Sequence, residues 1–221
     1  MGEQGRWAKC TNFEHALHIP LLFVRPPPPP TPNMIKQHGG KVSRAPRKHT
    51  AIVQALDIYP TIVELALGVE AVPERCPPNS TYVKSCVEGT SLVPYLLDDV
   101  NSGNSGNNGN SDNGNSHEHG EKKVARRPKL DAAFAQWPGD AAVGYTIRSS
   151  DFRYTEWVAH NTNATSSTTP NWNDLLASEL YDHRTDPGEL TNVAGDATYA
   201  KHIKDLSRAL HAQREPPKRG L

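Results

Sequence analysis

Apolar and polar positions fall in separate blocks along the chain, and each block predicts its own element. Behind a polar opening, Glu3–Asn12, the run "HIPLLFV" (His18–Val24) is nearly all apolar and predicts a buried strand. "TAIVQAL" (Thr50–Leu56) predicts a second short buried strand, feeding "DIYPTIVELALG" (Asp57–Gly68) as a helix. Asp57 stands at the cap of that helix, Pro60 falls in the first turn where a missing N–H costs nothing, and Gly68 ends it. Ile62, Val63 and Leu67 should supply its buried face. Further on, "GYTIRSSDFRYTEWVAHN" (Gly144–Asn161) holds two β-rich runs around Ser-Ser-Asp, the pattern of a hairpin. "ELYDHRTDPGELTN" (Glu179–Asn192) adds a strand that ends in an Asp-Pro-Gly turn. In "TYAKHIKDLSRALHAQ" (Thr198–Gln213), Ala200, Ile203, Leu206 and Leu210 recur at helical spacing, so a helix should close a small antiparallel sheet.

Two stretches break this rhythm. "RPPPPPTPN" (Arg25–Asn33) offers almost no backbone donors and reads as polyproline II in a stiff surface loop, with an aromatic groove as its possible partner. "NSGNSGNNGNSDNGNS" (Asn101–Ser116) has no apolar area to bury and reads as a disordered insertion. The His-x-His and basic residues of "HEHGEKKVARRPK" (His117–Lys129) suit its solvated flank better than a metal or nucleic-acid site. The expected division is therefore an α/β part over 1–97, an insertion over 98–129, and an α+β subdomain over 130–221.

Composition narrows the chemistry. The 221 residues carry 24 basic and 24 acidic side chains, so no global field favours nucleic acid or an anionic membrane. The apolar runs fall far short of the roughly 20 residues a membrane span needs. Cys76 and Cys86 flank a loop stiffened by Pro77 and Pro78; a bridge there and two free thiols are both open, and Cys10 is left over from the odd count of three. Asn79 and Asn163 fit the acceptor rule Asn-x-Ser/Thr, which suggests a secretory history. No basic n-region followed by an apolar h-region stands near Met1, and these signs together lead to the expectation that the chain is the C-terminal part of something longer. No P-loop, dinucleotide fingerprint, zinc spacing or serine elbow is present in the sequence.

Four stretches, in order, carry a resemblance. "GEQGRWAKCTNFEHALHIPLLF" is similar to the segment that follows the Asp-His metal motif of the sulfatases, and "DIYPTIVELALGV" to their helix with an Asp-x-x-Pro-Thr start. "CPPNSTYVKSCVEGTSLVPYL" resembles a paired-cysteine loop followed by a Gly-x-Ser-Leu-x-Pro element. "GYTIRSSDFRYTEWVAHN" and "ELYDHRTDPGELTNVAG" resemble the hairpin and closing strand of the C-terminal subdomain. The sequence thus resembles the C-terminal part of a sulfatase, of the iduronate-2-sulfatase type.

The resemblance implies an α/β fold: the last strands and a helix of the alkaline-phosphatase-like sheet, then a small antiparallel sheet with a C-terminal helix. It implies sulfuric ester hydrolysis on sulfated sugars or glycosaminoglycans, in a lysosomal or secreted setting, and a Cys76–Cys86 pair. The lysine of the family's "WAK" stretch contacts the sulfate, which assigns both catalysis and substrate binding to Lys9. A compact ammonium at a sulfate oxygen stabilises charge on binding and as the S–O bond breaks. His18 and Trp7 are close in sequence, but packing roles serve them better. The family's nucleophile, a formylglycine made from Cys-x-Pro-Ser-Arg, has no counterpart motif here; its calcium ligands also belong upstream of Glu3, so no metal ligand is assigned in this chain. The implied partners are a sulfated carbohydrate and the N-terminal catalytic part of the same sulfatase, without which the chain should be inactive. The competing reading is a non-catalytic secreted binding or scaffold domain derived from that fold.

Overall fold

The computed structural model describes residues 2–5, 10–24, 48–76, 85–97, 132–160 and 170–214. Lys9, Trp7, Asn79, Asn163, the proline run and the Asn-rich insertion lie outside the described residues. No described helix is long and apolar enough to cross a membrane.

The second half forms an antiparallel sheet in the order β1 (Ala132–Pro138), β2 (Ala142–Ser149), β3 (Phe152–Ala159), β4 (Leu175–Asp182). The β2–β3 hairpin turns at Ser-Ser-Asp as the sequence predicts, in a register that sets Thr146 opposite Thr155 and Arg148 opposite Arg153. Ser149 holds the turn, since its hydroxyl donates to the Phe152 carbonyl and accepts from the Phe152 N–H, both at 3.1 Å. Strand β1 was not foreseen, because "AAFAQWP" is small and lacks β-branched side chains.

Side-chain alternation gives the sheet two unlike faces. One carries Phe134, Ile147, Phe152, Tyr154 and Leu180, and takes helix α4 (Ala200–Arg214) through Ile203, Leu206 and Leu210. Leu180 and Leu210 are fully buried where they meet. Ala200, expected on this apolar stripe, is exposed because the chain is still leaving the Ala197–Tyr199 turn there. At the far end of α4, His211 stacks on Trp172 at 3.9 Å and sets Nε2 2.7 Å from Glu156 Oε2. The opposite face carries Thr146, Arg148, Arg153, Thr155 and Glu179. Such a face can be buried only if every charge finds a partner.

In the first half, α1 (Glu14–Leu17) is a single turn, and the principal helix is α2 (Ile58–Leu67), bounded by Asp57 and by Gly68 at φ 91°. Asp57 is buried at the cap position, yet its carboxylate does not cap α2. It accepts from the Gln54 N–H at 2.9 Å and across the fold from the Thr90 N–H at 2.8 Å. Thr61 completes the knot: its hydroxyl donates to the Asp57 carbonyl at 2.5 Å and accepts from the Leu92 N–H at 2.8 Å. Gly89 is required because a Cβ there would lie 1.9 Å from the Leu56 carbonyl oxygen. The Asp-x-x-Pro-Thr and Gly-x-Ser-Leu stretches are thus one hydrogen-bonded unit. After it comes α3 (Val93–Leu97).

Three expectations fail in this half. Neither His18–Val24 nor Thr50–Leu56 is a buried strand: no ladder partner faces either among the described residues, and Leu22 and Val24 stand 82% and 83% exposed. An apolar run without a neighbouring edge has nothing to pair with. The face predicted for α2 is also wrong, since Ile62 and Leu67 are exposed while Pro60 and Thr61 are buried against the 89–92 turn. Cys76 and Cys86 form a disulfide with Cα atoms 4.7 Å apart, closing the loop between the paired residues Arg75 and Val87, and Cys10 is an exposed free thiol.

Candidate functional site

Residues on both sides of positions 6–9 bond to the second half of the chain. Ahead of them, Gln4 Nε2 donates to the carbonyls of Gly188 and Glu189, each at 2.8 Å. Behind them, Asn12 Nδ2 donates to the Gly144 carbonyl at 2.9 Å, and Phe13 meets the Tyr181 ring edge-on at 5.7 Å.

Charge completes the attachment. Glu14 Oε2 accepts from Arg148 Nε at 3.0 Å and from Arg153, and the Glu14 N–H donates to Glu189 Oε2 at 2.6 Å. Arg153 Nε in turn donates to Glu189 Oε1 at 2.5 Å. His183 closes the ring, with Nδ1 2.8 Å from Arg148 Nη2 and Nε2 2.7 Å from Glu189 Oε1. A guanidinium can only donate, so Nδ1 is the acceptor and the imidazole is neutral with its proton on Nε2. Two carboxylates then balance two guanidiniums around it.

The electrostatics follow from that balance. Burial alone would push the Glu189 carboxyl up, but the His183 hydrogen bond, the Arg153 charge and the Glu14 N–H hold it below the ordinary glutamate range. Glu14 behaves alike: burial raises it, and the charges and hydrogen bonds of Arg148 and Arg153 bring it below. Glu179 goes the other way, pushed up by burial and by the nearby Glu189 charge despite a hydrogen bond from Trp157.

Backbone strain sits at the same place. Among the described non-glycine residues, only Gln4 (φ 50°) and Glu189 (φ 55°) adopt the left-handed region, and they bond to each other. Each costs on the order of 1 kcal/mol, which the surrounding bonds must over-determine.

Glu14, His183 and Glu189 bring ligand atoms within 4.8 Å of one another, the spacing of a metal site. Calcium does not fit there. The carboxylate oxygens are already spent on guanidinium, imidazole and amide donors, and a divalent ion would face two fixed positive charges. The cluster is a clamp.

Of the residues singled out in the sequence, Lys9, Asn79 and Asn163 lie outside the described residues, whereas Cys76 and Cys86 are joined. His18 is no core histidine: its side chain is exposed and sits 3.2 Å from Glu14 Oε1. The clamp residues themselves went unread. Their one sequence signal was an arginine in each arm of the hairpin, at Arg148 and Arg153, where a half-buried strand would carry apolar or hydroxyl side chains.

The comparisons with known proteins give the family of this chain. The chain corresponds to the C-terminal part of a sulfatase. Its type is that of iduronate 2-sulfatase: the Mus musculus protein is 32% identical over 93% of this chain, and the Homo sapiens protein 29% over 89%. N-acetylglucosamine-6-O-sulfatase of Bacteroides thetaiotaomicron is 24% identical over 95% of the chain. The chain spans 38% of the mouse protein's length and 27% of the bacterial one's. Among solved structures, phosphonate monoester hydrolase of Agrobacterium radiobacter superposes with a TM-score of 0.44 at 23% identity, over 76% of this chain and 27% of that one. No protein-family model matches.

Proposed function

We propose that this chain is the C-terminal part of a sulfuric ester hydrolase acting on sulfated sugars or glycosaminoglycans, in the manner of iduronate 2-sulfatase, and that Lys9 is its contribution to the sulfate site. The ordered match over 93% of the chain to a protein of that name carries the reading. The anchoring of the chain on both sides of positions 6–9 supports it, because a catalytic side chain needs a rigid base. Its ammonium would stabilise the negative charge of the sulfate as the ester bond breaks. The formylglycine nucleophile and the calcium ligands would come from the N-terminal catalytic part, since the sequence has no Cys-x-Pro-Ser-Arg motif and the described carboxylate cluster does not suit the ion. Residues 1–97 would complete the catalytic α/β domain, 98–129 form an insertion, and 130–221 a C-terminal subdomain. A lysosomal or secreted setting, with glycans at Asn79 and Asn163, suits the Cys76–Cys86 disulfide.

The test is an enzyme rebuilt by joining this chain to an upstream sulfatase half. Lys9→Ala should lower kcat/KM for a sulfate ester by roughly two to three orders of magnitude and leave the thermal midpoint nearly unchanged, with partial rescue by Lys9→Arg. The chain alone should not turn over an aryl sulfate, with or without calcium. Near-full activity of Lys9→Ala would return Lys9 to an ordinary surface role.

A further inference from the structure

Helix α4 turns one face to the sheet, and its outward face carries a charge that the fold does not explain. Ile203, Leu206 and Leu210 hold the inner face against the core. Lys201, Lys204 and Arg208 recur at i, i+3 and i+7, so they share the opposite side, and all three are exposed. At about 1.5 Å of rise per residue they span roughly 10 Å along a fixed axis. The helix sequence "AKHIKDLSRALHAQR" has a single acid, Asp205, which lies 3.3 Å from Arg208 in an exposed pair of the kind that contributes little. Lys201 and Lys204 have no ion-pair partner among the described residues. Lys201 also stands in a first turn that holds no acid, at the end of the helix dipole where a cation is disfavoured. Helix stability alone would put these charges at the other end. Arg184, over the Phe152 ring that His202 also meets, adds nothing, since Asp182 takes up its charge. In a chain of zero net charge the α4 face is a local concentration of cations.

We propose that this face of α4 is a docking surface for a sulfated polysaccharide; the choice of polymer rests on the function proposed above. Three cations in a row on a rigid helix suit a ligand that repeats its negative charge along its length. One exposed ion contact is weak in water, but successive contacts on one polymer reinforce one another. The lysines supply compact point charges. Arg208 can leave Asp205 for a sulfate group, which its planar fork meets with two parallel hydrogen bonds.

The test is heparin binding by the intact chain, followed as salt is raised. Replacing Lys201, Lys204 and Arg208 together by glutamine should weaken binding at least roughly tenfold in low salt and reduce the slope of log affinity against log salt by about 2 to 3. The thermal midpoint should stay within about 2 °C, as for surface substitutions. Lys201→Arg with Lys204→Arg keeps the charges and should keep the binding, which holds the test open even where the glutamine variant folds poorly. Hyaluronan, which carries carboxylates and no sulfate, should bind much more weakly than heparin. Heparin binding untouched by the glutamine variant would place the contacts on other basic residues, such as the run over 117–129, and overturn the surface. Loss of binding in the arginine variant overturns a role for charge, and equal binding of hyaluronan overturns the sulfated ligand. Because binding is read without turnover, a fully active Lys9→Ala enzyme would overturn the sulfate role of Lys9 and leave this surface standing.

Discussion

At the scale of single residues, Glu189 concentrates the most interactions: a left-handed backbone, near-complete burial, and a carboxylate shared by Arg153, His183 and the Glu14 amide. Glu189→Gln keeps the shape and removes the charge, leaving Arg153 with half its compensation. It should destabilise the chain by roughly 3 kcal/mol at pH 7, read by denaturant unfolding. The pH dependence of that loss is fixed in sign. The folded carboxyl titrates below the ordinary glutamate value of 4.5, so its stabilisation is complete above about that pH and disappears as pH falls through the lower folded value. The gap between wild type and Glu189→Gln should hold from pH 7 to 5 and close below about 4.5, where the protonated acid and the amide become equivalent. A gap as wide at pH 3 as at pH 7 would mean that packing, not charge, is the contribution of Glu189. Asp182, held down to about 2 by the Arg184 hydrogen bonds, keeps its charge through most of this range and does not confuse the comparison.

At the scale of elements, helix α4 and the hairpin were legible because their patterns are local: a 3.6-residue stripe, and two β-rich runs about a polar turn. Leu210 shows how far that reading reaches. It was placed on the apolar stripe by spacing alone, and it is fully buried against Ile147, Phe152, Tyr154 and Leu180. Leu210→Ala should cost about 3 kcal/mol, lowering the thermal midpoint of the sheet by roughly 10–20 °C in far-UV circular dichroism. A shift within 2 °C would show that α4 is not fastened through this side chain. The elements that misled are those whose pattern depends on distant partners. His18–Val24 is apolar enough for a strand, but apolarity does not provide an edge to pair with. In α2 the apolar positions suggested a core face, yet burial followed Thr61, because the 89–92 turn bonds to its hydroxyl. The clamp was invisible for a related reason: Glu14 and Glu189 are 175 residues apart, and nothing in either local sequence names the other.

At the scale of the whole molecule, the two halves differ in how they use apolar surface. The sheet and α4 bury most of theirs between them, with Leu175 and Leu176 of β4 exposed. The first half leaves Ile19, Leu21, Leu22, Val24, Ile62 and Leu67 exposed. Isolated exposed leucines need no explanation, but several in one short segment mark a surface that meets something. The relatives are much longer than this chain, which spans 38% of the mouse protein, and on the reading proposed above the N-terminal catalytic part is what these residues meet. Without that partner, the purified chain should self-associate. Replacing Leu22 and Val24 by serine removes two of the most exposed side chains without touching a described packing contact. The double variant should therefore reduce concentration-dependent association in sedimentation and lower binding of a hydrophobic dye, while the thermal midpoint moves by no more than about 2 °C, as surface substitutions do. The same variant should also pair more weakly with the catalytic half when the two parts are mixed as separate chains. A chain that stays monomeric with Leu22 and Val24 in place, or a double variant that unfolds, would show that the 19–24 segment is satisfied within this chain.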